Sequence, residues 1–176
     1  MGCGSSSVAS RKPSISEPSS AVTDFIVLAR QVKQTWPDVK KIDSLGAKTF
    51  AYLLHKYPQY KSFYHVPEAY KSEADLLNAE EVKQAGEQFI DWYSDIIEHS
   101  DTQFNEKLRE KAIELNNQGV RINQVKYYGD SLVHVISYEL QNDLTIEEKR
   151  AWQSFCNQVS NGLTMELTKF PRKSIV

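Results

Sequence analysis

The sequence predicts an all-α fold of about seven or eight helices behind a disordered N-terminal tail, on three observations. Apolar residues recur at intervals of three and four along most of the chain. No strand-like alternation appears among them. The stretches between them are short and carry helix caps or breakers.

The first helical run carries Phe25, Leu28, Ala29, Val32 and Trp36, with Thr23 or Asp24 as its expected cap and Trp36-Pro37 as its expected end, where the proline closes one helix or opens the next. A second run has Ile42, Leu45, Gly46, Phe50, Leu53 and Leu54 and stops at Tyr57-Pro58. Gly46 stands where two helices can cross closely. Pro58 to Leu77 reads as irregular, aromatic-rich chain broken by Pro67. Val82, Ala85, Gly86, Phe89, Ile90, Tyr93, Ile96 and Ile97 then trace a long amphipathic face. Leu108, Ala112, Ile113 and Leu115 trace a shorter one, broken by Asn116-Asn117-Gln118-Gly119. Tyr127, Tyr128, Leu132, Val135 and Ile136 form the next, ending before Asn142-Asp143. Thr145 and Glu148 make a capping box for a final helix bearing Trp152, Phe155, Val159, Leu163 and Leu167.

The chain has 176 residues, 40% of them hydrophobic and 25% charged, enough for one core. A formal net charge of -2 gives no global cationic field, so a nucleic-acid partner is not expected. Cys3 and Cys156 are the two cysteines, too few for a disulfide framework. No apolar run approaches the roughly 18 to 20 residues that span a bilayer, and no secretory signal is present. A reducing, cytoplasmic setting is expected.

The composition divides the chain into a leader (1–22), a helical domain (23–170) and a short C-terminal tail (171–176). Met1 to Ser20 hold eight serines and two prolines and little that could form a core. The opening Met1-Gly2-Cys3-Gly4-Ser5-Ser6 matches the N-myristoylation pattern. A single myristoyl chain binds membrane only marginally, and Cys3 can carry a second, palmitoyl chain. Only Arg11 and Lys12 lie nearby, too few for a polybasic patch. Gly2 and Cys3 are therefore the expected lipidation sites, placing the protein peripherally on the inner face of the plasma membrane. Ser14, three residues after Arg11, has the spacing of a basophilic kinase site, and Ser174-Ile175-Val176 has the form of a PDZ ligand.

From Val22 to Phe170 the landmarks resemble the globin family. Trp36-Pro37 resembles the first-helix tryptophan, and Gly46 the glycine at the crossing of the second and fifth helices. Tyr57-Pro58 with Phe63-Tyr64 resembles the corner whose aromatic wedges against heme. Val82-Lys83-Gln84-Ala85-Gly86 resembles the distal helix, where globins usually carry His-Gly. Tyr128-Gly129-Asp130-Ser131-Leu132-Val133 resembles the start of the penultimate helix, and Thr145 to Trp152 the start of the last. The Met-Gly-Cys opening is similar to that of membrane-attached, doubly acylated animal globins.

The resemblance implies heme held by a proximal histidine, usually with a histidine or glutamine on the opposite face. Counting from Gly86, the distal position falls on Ala85. Counting from Tyr128-Gly129, the proximal position falls on Leu115, or on Glu114 in a register shifted by one. The anchor Lys126-Tyr127-Tyr128 gives Asn117 or Gln118 instead. None is histidine, and none of the four histidines, His55, His65, His99 and His134, falls on the proximal helix. Cys156 reads as a small buried hydrophobe rather than an iron ligand. No metal site is therefore expected, and no cofactor, although heme is what the family implies.

The heme-pocket positions carried over by the resemblance are Phe50, Phe63, Tyr64, Ala85, Phe89, Leu115 and Tyr128. They are bulky, and a cavity left empty costs packing energy, so Phe50, Phe89 and Tyr128 are placed to fill it. The expected function is that of a membrane-tethered, heme-free or heme-degenerate globin acting as a sensor or interaction module with a protein partner. The alternative is a heme globin for oxygen, nitric oxide or redox sensing with an unusual axial ligand. No nucleophile and base pair, phosphate loop or carboxylate cluster points to an enzyme.

Overall fold

The structure, a computed structural model, describes Met1 and residues 20–120 and 122–170. These residues form seven α-helices and one 3-10 turn, with no strand among them. In chain order they are α1 (Ser20–Val39), α2 (Leu45–Lys56), the 3-10 turn Pro58–Tyr60, α3 (Glu73–Asn78), α4 (Glu80–Glu98), α5 (Phe104–Asn117), α6 (Ile122–Glu139) and α7 (Ile146–Thr168). Gly2, Cys3, Ser14 and Ser174-Ile175-Val176 lie outside the described residues. No helix among those described is long and apolar enough to cross a membrane.

The core is one continuous apolar cluster that draws on all seven helices. The antiparallel pair α6 and α7 forms its spine, with Gly129 of α6 so close that a Cβ there would meet Cys156 Cβ at 2.9 Å. Trp152 of α7 is fully buried, packs on Trp36 of α1 with ring centroids 5.7 Å apart, and donates its indole N–H to Thr35 Oγ1 at 3.0 Å. That bond matters because an unpaired buried indole N–H would cost free energy. Thr145 and Glu148 form the expected capping box of α7.

Several boundaries differ from the sequence reading, each for a local reason. Helix α1 begins at Ser20, so Thr23 and Asp24 lie inside it rather than capping it. It also continues through Pro37 to Val39. Pro37 gives up the bond from its own position to the carbonyl four residues back, and the helix ends within two residues of it. Ile113, expected on the apolar face of its helix, is exposed. The segment expected to be irregular up to Leu77 contains α3, opened by a capping box between Ser72 and Asp75. Lys61, in the same segment, is buried and donates its ammonium to the Tyr70 carbonyl at 2.6 Å.

Candidate functional site

Helices α2 and α4 touch backbone to backbone at Gly46 and Gly86. A Cβ on Gly46 would lie 2.2 Å from the Gly86 carbonyl oxygen, and one on Gly86 would lie 2.3 Å from the Gly46 carbonyl carbon. Only glycine at both positions permits this approach. The crossing sets the pocket, because Phe50 follows one turn along α2, while Ala85 and Phe89 flank Gly86 on α4. Leu115 of α5 and Tyr128 of α6 close two further sides, and Phe63 and Tyr64 enter from the link after the 3-10 turn. All seven positions carried over by the resemblance line one cavity, joined by Gln88, Lys111, Glu114, Gln118 and Val120.

Aromatic rings occupy most of that space. Phe50 meets Tyr64 at 5.1 Å and Phe89 at 5.5 Å edge to face, and Tyr128 at 6.0 Å with the rings tilted. Phe89 meets Tyr128 at 5.8 Å and Tyr93 at 4.6 Å, and Phe63 lies edge to face with Tyr64 at 4.9 Å. Edge-to-face contacts of this kind add stabilisation beyond buried area. About 50 Å³ of open volume remains between them.

The phenol groups of Tyr64 and Tyr128 hydrogen-bond to each other. Burial drives the Tyr64 pKa far above that of an ordinary phenol, with the neighbouring Tyr128 adding to it. Burial pushes Tyr128 up to about 12, against an opposing pull from the Tyr64 bond. Both are neutral phenols at physiological pH. At the rim Lys111 pairs with Glu114 at 2.9 Å, lies over the Trp92 ring at 5.6 Å, and Gln118 donates to Glu114 at 3.1 Å. The i, i+3 and i, i+4 spacing of these three residues on and just beyond α5 was the available signal for this rim.

The registers left open on α5 resolve into distinct places. Leu115 is buried against the cavity, Glu114 and Gln118 stand at its rim, and Asn117 is not among its lining residues. All four histidines lie elsewhere. His55 is in the last turn of α2 with Nδ1 3.2 Å from the Lys71 carbonyl. His65 is an exposed loop residue with φ 56°. His99 caps the C-terminus of α4, where its Nδ1 lies 2.8 Å from the Asp95 carbonyl. His134 is exposed on α6 and stacks on Tyr52 at 3.8 Å. Cys156 is fully buried, and that burial pushes its thiol up to about 12. Among the described residues no group of three or more His, Cys, Asp and Glu is arranged to hold a metal ion.

A larger open groove of about 500 Å³ lies between the end of α1 and the α6–α7 link. Asp38, Asp43, Glu139, Asp143 and Glu148 surround it with Lys41. Its polar groups already have partners in part: Asp38 pairs with Lys41 at 2.6 Å, Glu139 with Lys48 at 2.8 Å, and Thr35 with Trp152. The aromatic cavity, not this solvated rim, is where the helix crossing directs side chains from four helices and a loop.

An all-helical bundle with two helices in glycine contact above a pocket closed by the neighbouring helices defines a class of fold. The Globin family model matches residues 47–163, from just past Gly46 to the last two turns of α7, and the chain belongs to that family. No curated protein gives a significant match to it.

Proposed function

We propose that this globin works without heme, as a sensor or interaction module tethered to the inner face of the plasma membrane through acylated Gly2 and Cys3. The observation that carries the first half is the aromatic filling of the pocket. A group of heme's size needs a cavity of roughly 300–1,000 Å³, and about 50 Å³ stands open here. The donor set does not fit the group either. Ala85 and Leu115 offer no ligating atom, Glu114 at the rim is engaged by Lys111 and Gln118, and the two tyrosine hydroxyls are bound to each other and held in the neutral form. The pocket residues therefore do not suit a heme iron. Nothing in the sequence or the pocket supplies a nucleophile with a base, so the reading is that of a binding protein.

Titration of the full-length protein with hemin tests this directly. The expected outcome is no sharp Soret band and no stoichiometric end point. A defined one-to-one spectrum would overturn the heme-free reading in favour of a heme globin with an unusual ligand.

The tether rests on the Met1-Gly2-Cys3 opening with Ser6 in the hydroxyl position. Two acyl chains give stable residence where one does not. Gly2→Ala is expected to shift the protein from the membrane to the soluble fraction in cells. Membrane association that is unchanged in Gly2→Ala would remove the tether.

A further inference from the structure

Of the six large apolar groups that line the pocket, Phe50, Phe89, Leu115 and Tyr128 are carried by helices. The other two, Phe63 and Tyr64, are carried by the tip of a small loop, and Tyr64 is the one that reaches Phe50 and Tyr128. Lys61 and Val66 anchor that loop, both buried, and Val66 N donates to the Lys61 carbonyl at 2.9 Å to close it. Between the anchors Ser62 and His65 are exposed, and His65 holds a left-handed backbone, φ 56°, that residues other than glycine rarely adopt. The tip therefore presents the Tyr64 ring inward with Phe63 beside it, from a turn whose ends are fixed and whose last residue before Val66 is left-handed; the amides of Phe63 and Tyr64 bond back to the Tyr60 and Lys61 carbonyls at 3.1 Å.

The surroundings of that ring are those of a bound phenol. Its faces and edges meet Phe50 at 5.1 Å and Phe63 at 4.9 Å, and its hydroxyl bonds to Tyr128. We propose that Tyr64 is an exchangeable internal ligand, and that the pocket binds a small phenol-class molecule in place of its ring when the Ser62 to His65 tip swings out. This rests on the heme-free reading and names the ligand class of the same site. Specificity comes from Tyr128. With Tyr64 withdrawn, its buried hydroxyl lacks a partner unless the ligand supplies one, so a site of this kind rejects an analogue that lacks the hydroxyl. The internal ring competes with the free ligand and lowers the apparent affinity in proportion to the fraction of open loop.

The test uses the full chain, with p-cresol as the phenol and toluene as the analogue lacking the hydroxyl. Calorimetry is expected to give one p-cresol per Tyr64→Ala molecule, bound at least about tenfold more tightly than by wild type, since the competing ring is gone. Toluene is expected to bind Tyr64→Ala about tenfold more weakly than p-cresol, and adding Tyr128→Phe should abolish that preference. In wild type, saturating p-cresol is expected to accelerate amide exchange at residues 62–65, a readout that does not depend on the variant folding. No stoichiometric binding by folded Tyr64→Ala, equal affinity in variant and wild type, or wild-type binding with unchanged exchange at the tip would each overturn the proposal. A parallel hemin titration separates the two ideas: a Soret band sinks the heme-free reading, whereas its absence together with a failed p-cresol arm sinks only the exchange of Tyr64.

Discussion

Gly46 and Phe50 stand one turn apart on α2 and meet their neighbours in opposite ways. At Gly46 the backbone of α4 lies in direct contact, and a single added carbon would sit 2.2 Å from a carbonyl oxygen. At Phe50 the helices have diverged, and the gap is filled by rings from α2, α4, α6 and a loop. The first contact is a property of the frame. The second is a filling. Helix crossings fix the dimensions of the space between them, whereas what occupies that space can change as long as its volume is kept. A globin frame can therefore persist while the pocket it encloses is closed from within.

The largest expected effect breaks the frame. Gly46→Val places a branched side chain against α4 backbone, which cannot yield as a flexible side chain does. Overpacking commonly costs about 1–3 kcal/mol, and with backbone as the obstacle the expected loss exceeds about 4 kcal/mol. Urea unfolding followed by circular dichroism checks it. A cooperative transition within about 1 kcal/mol of wild type would mean that the glycine contact is not what sets the crossing.

A change in the filling should cost less than one in the frame. Phe89→Ala removes the ring that touches Phe50, Tyr93 and Tyr128 together, while the glycine contact fixes how α2 and α4 cross beside it. The site then cannot collapse, and the loss expected is about 3–4 kcal/mol. The same unfolding experiment measures it, and the variant should remain fully helical.

Alkaline titration separates the two regions by pH. Cys156 lies in the frame between α6 and α7 and titrates near 9 when unfolded but near 12 when folded. Tyr128 lies in the filling and moves from 10 to about 12. Each acid keeps its proton longer in the folded state, so its contribution is intact below the unfolded value and is lost as pH rises toward the folded one. Stability should begin to fall above pH 9 through Cys156 and more steeply above pH 10, by about 1.4 kcal/mol per pH unit per group. Cys156→Ala should flatten the first limb, and Tyr128→Phe should reduce the second, in urea midpoints taken from pH 8 to 11.5.

The same division explains what the sequence makes legible. Gly46 and Gly86 are conspicuous because glycine inside a long apolar period is costly unless another backbone is close. The pocket residues follow from their distance along the chain to such landmarks, which is why the positions counted from Gly86 and Tyr128 converge in one cavity. Three features lie beyond that reading. Helix α3 is six residues long and shows no period to detect. Pro37 bars one helical bond but does not set the exact last residue, so α1 runs two residues past it. The burial of Lys61 depends on the Tyr70 carbonyl across a loop, a contact made by tertiary structure alone.

The smallest expected effect tests how firmly the loop ring belongs to the filling. Tyr64→Phe keeps the ring and removes one hydroxyl, leaving that of Tyr128 without its partner, at a cost of about 1 kcal/mol. Tyr128→Phe should cost a similar amount. With both hydroxyls gone no polar group is stranded, so the double variant should lose less than the sum of the two, with a coupling of about 1 kcal/mol in a double-mutant cycle. Strict additivity would mean that the two phenols do not depend on each other, and the loop would then be held by ring packing alone. Coupling of the expected size makes the hydroxyl pair the latch between a loop that is free to differ and a helix that is fixed by the frame.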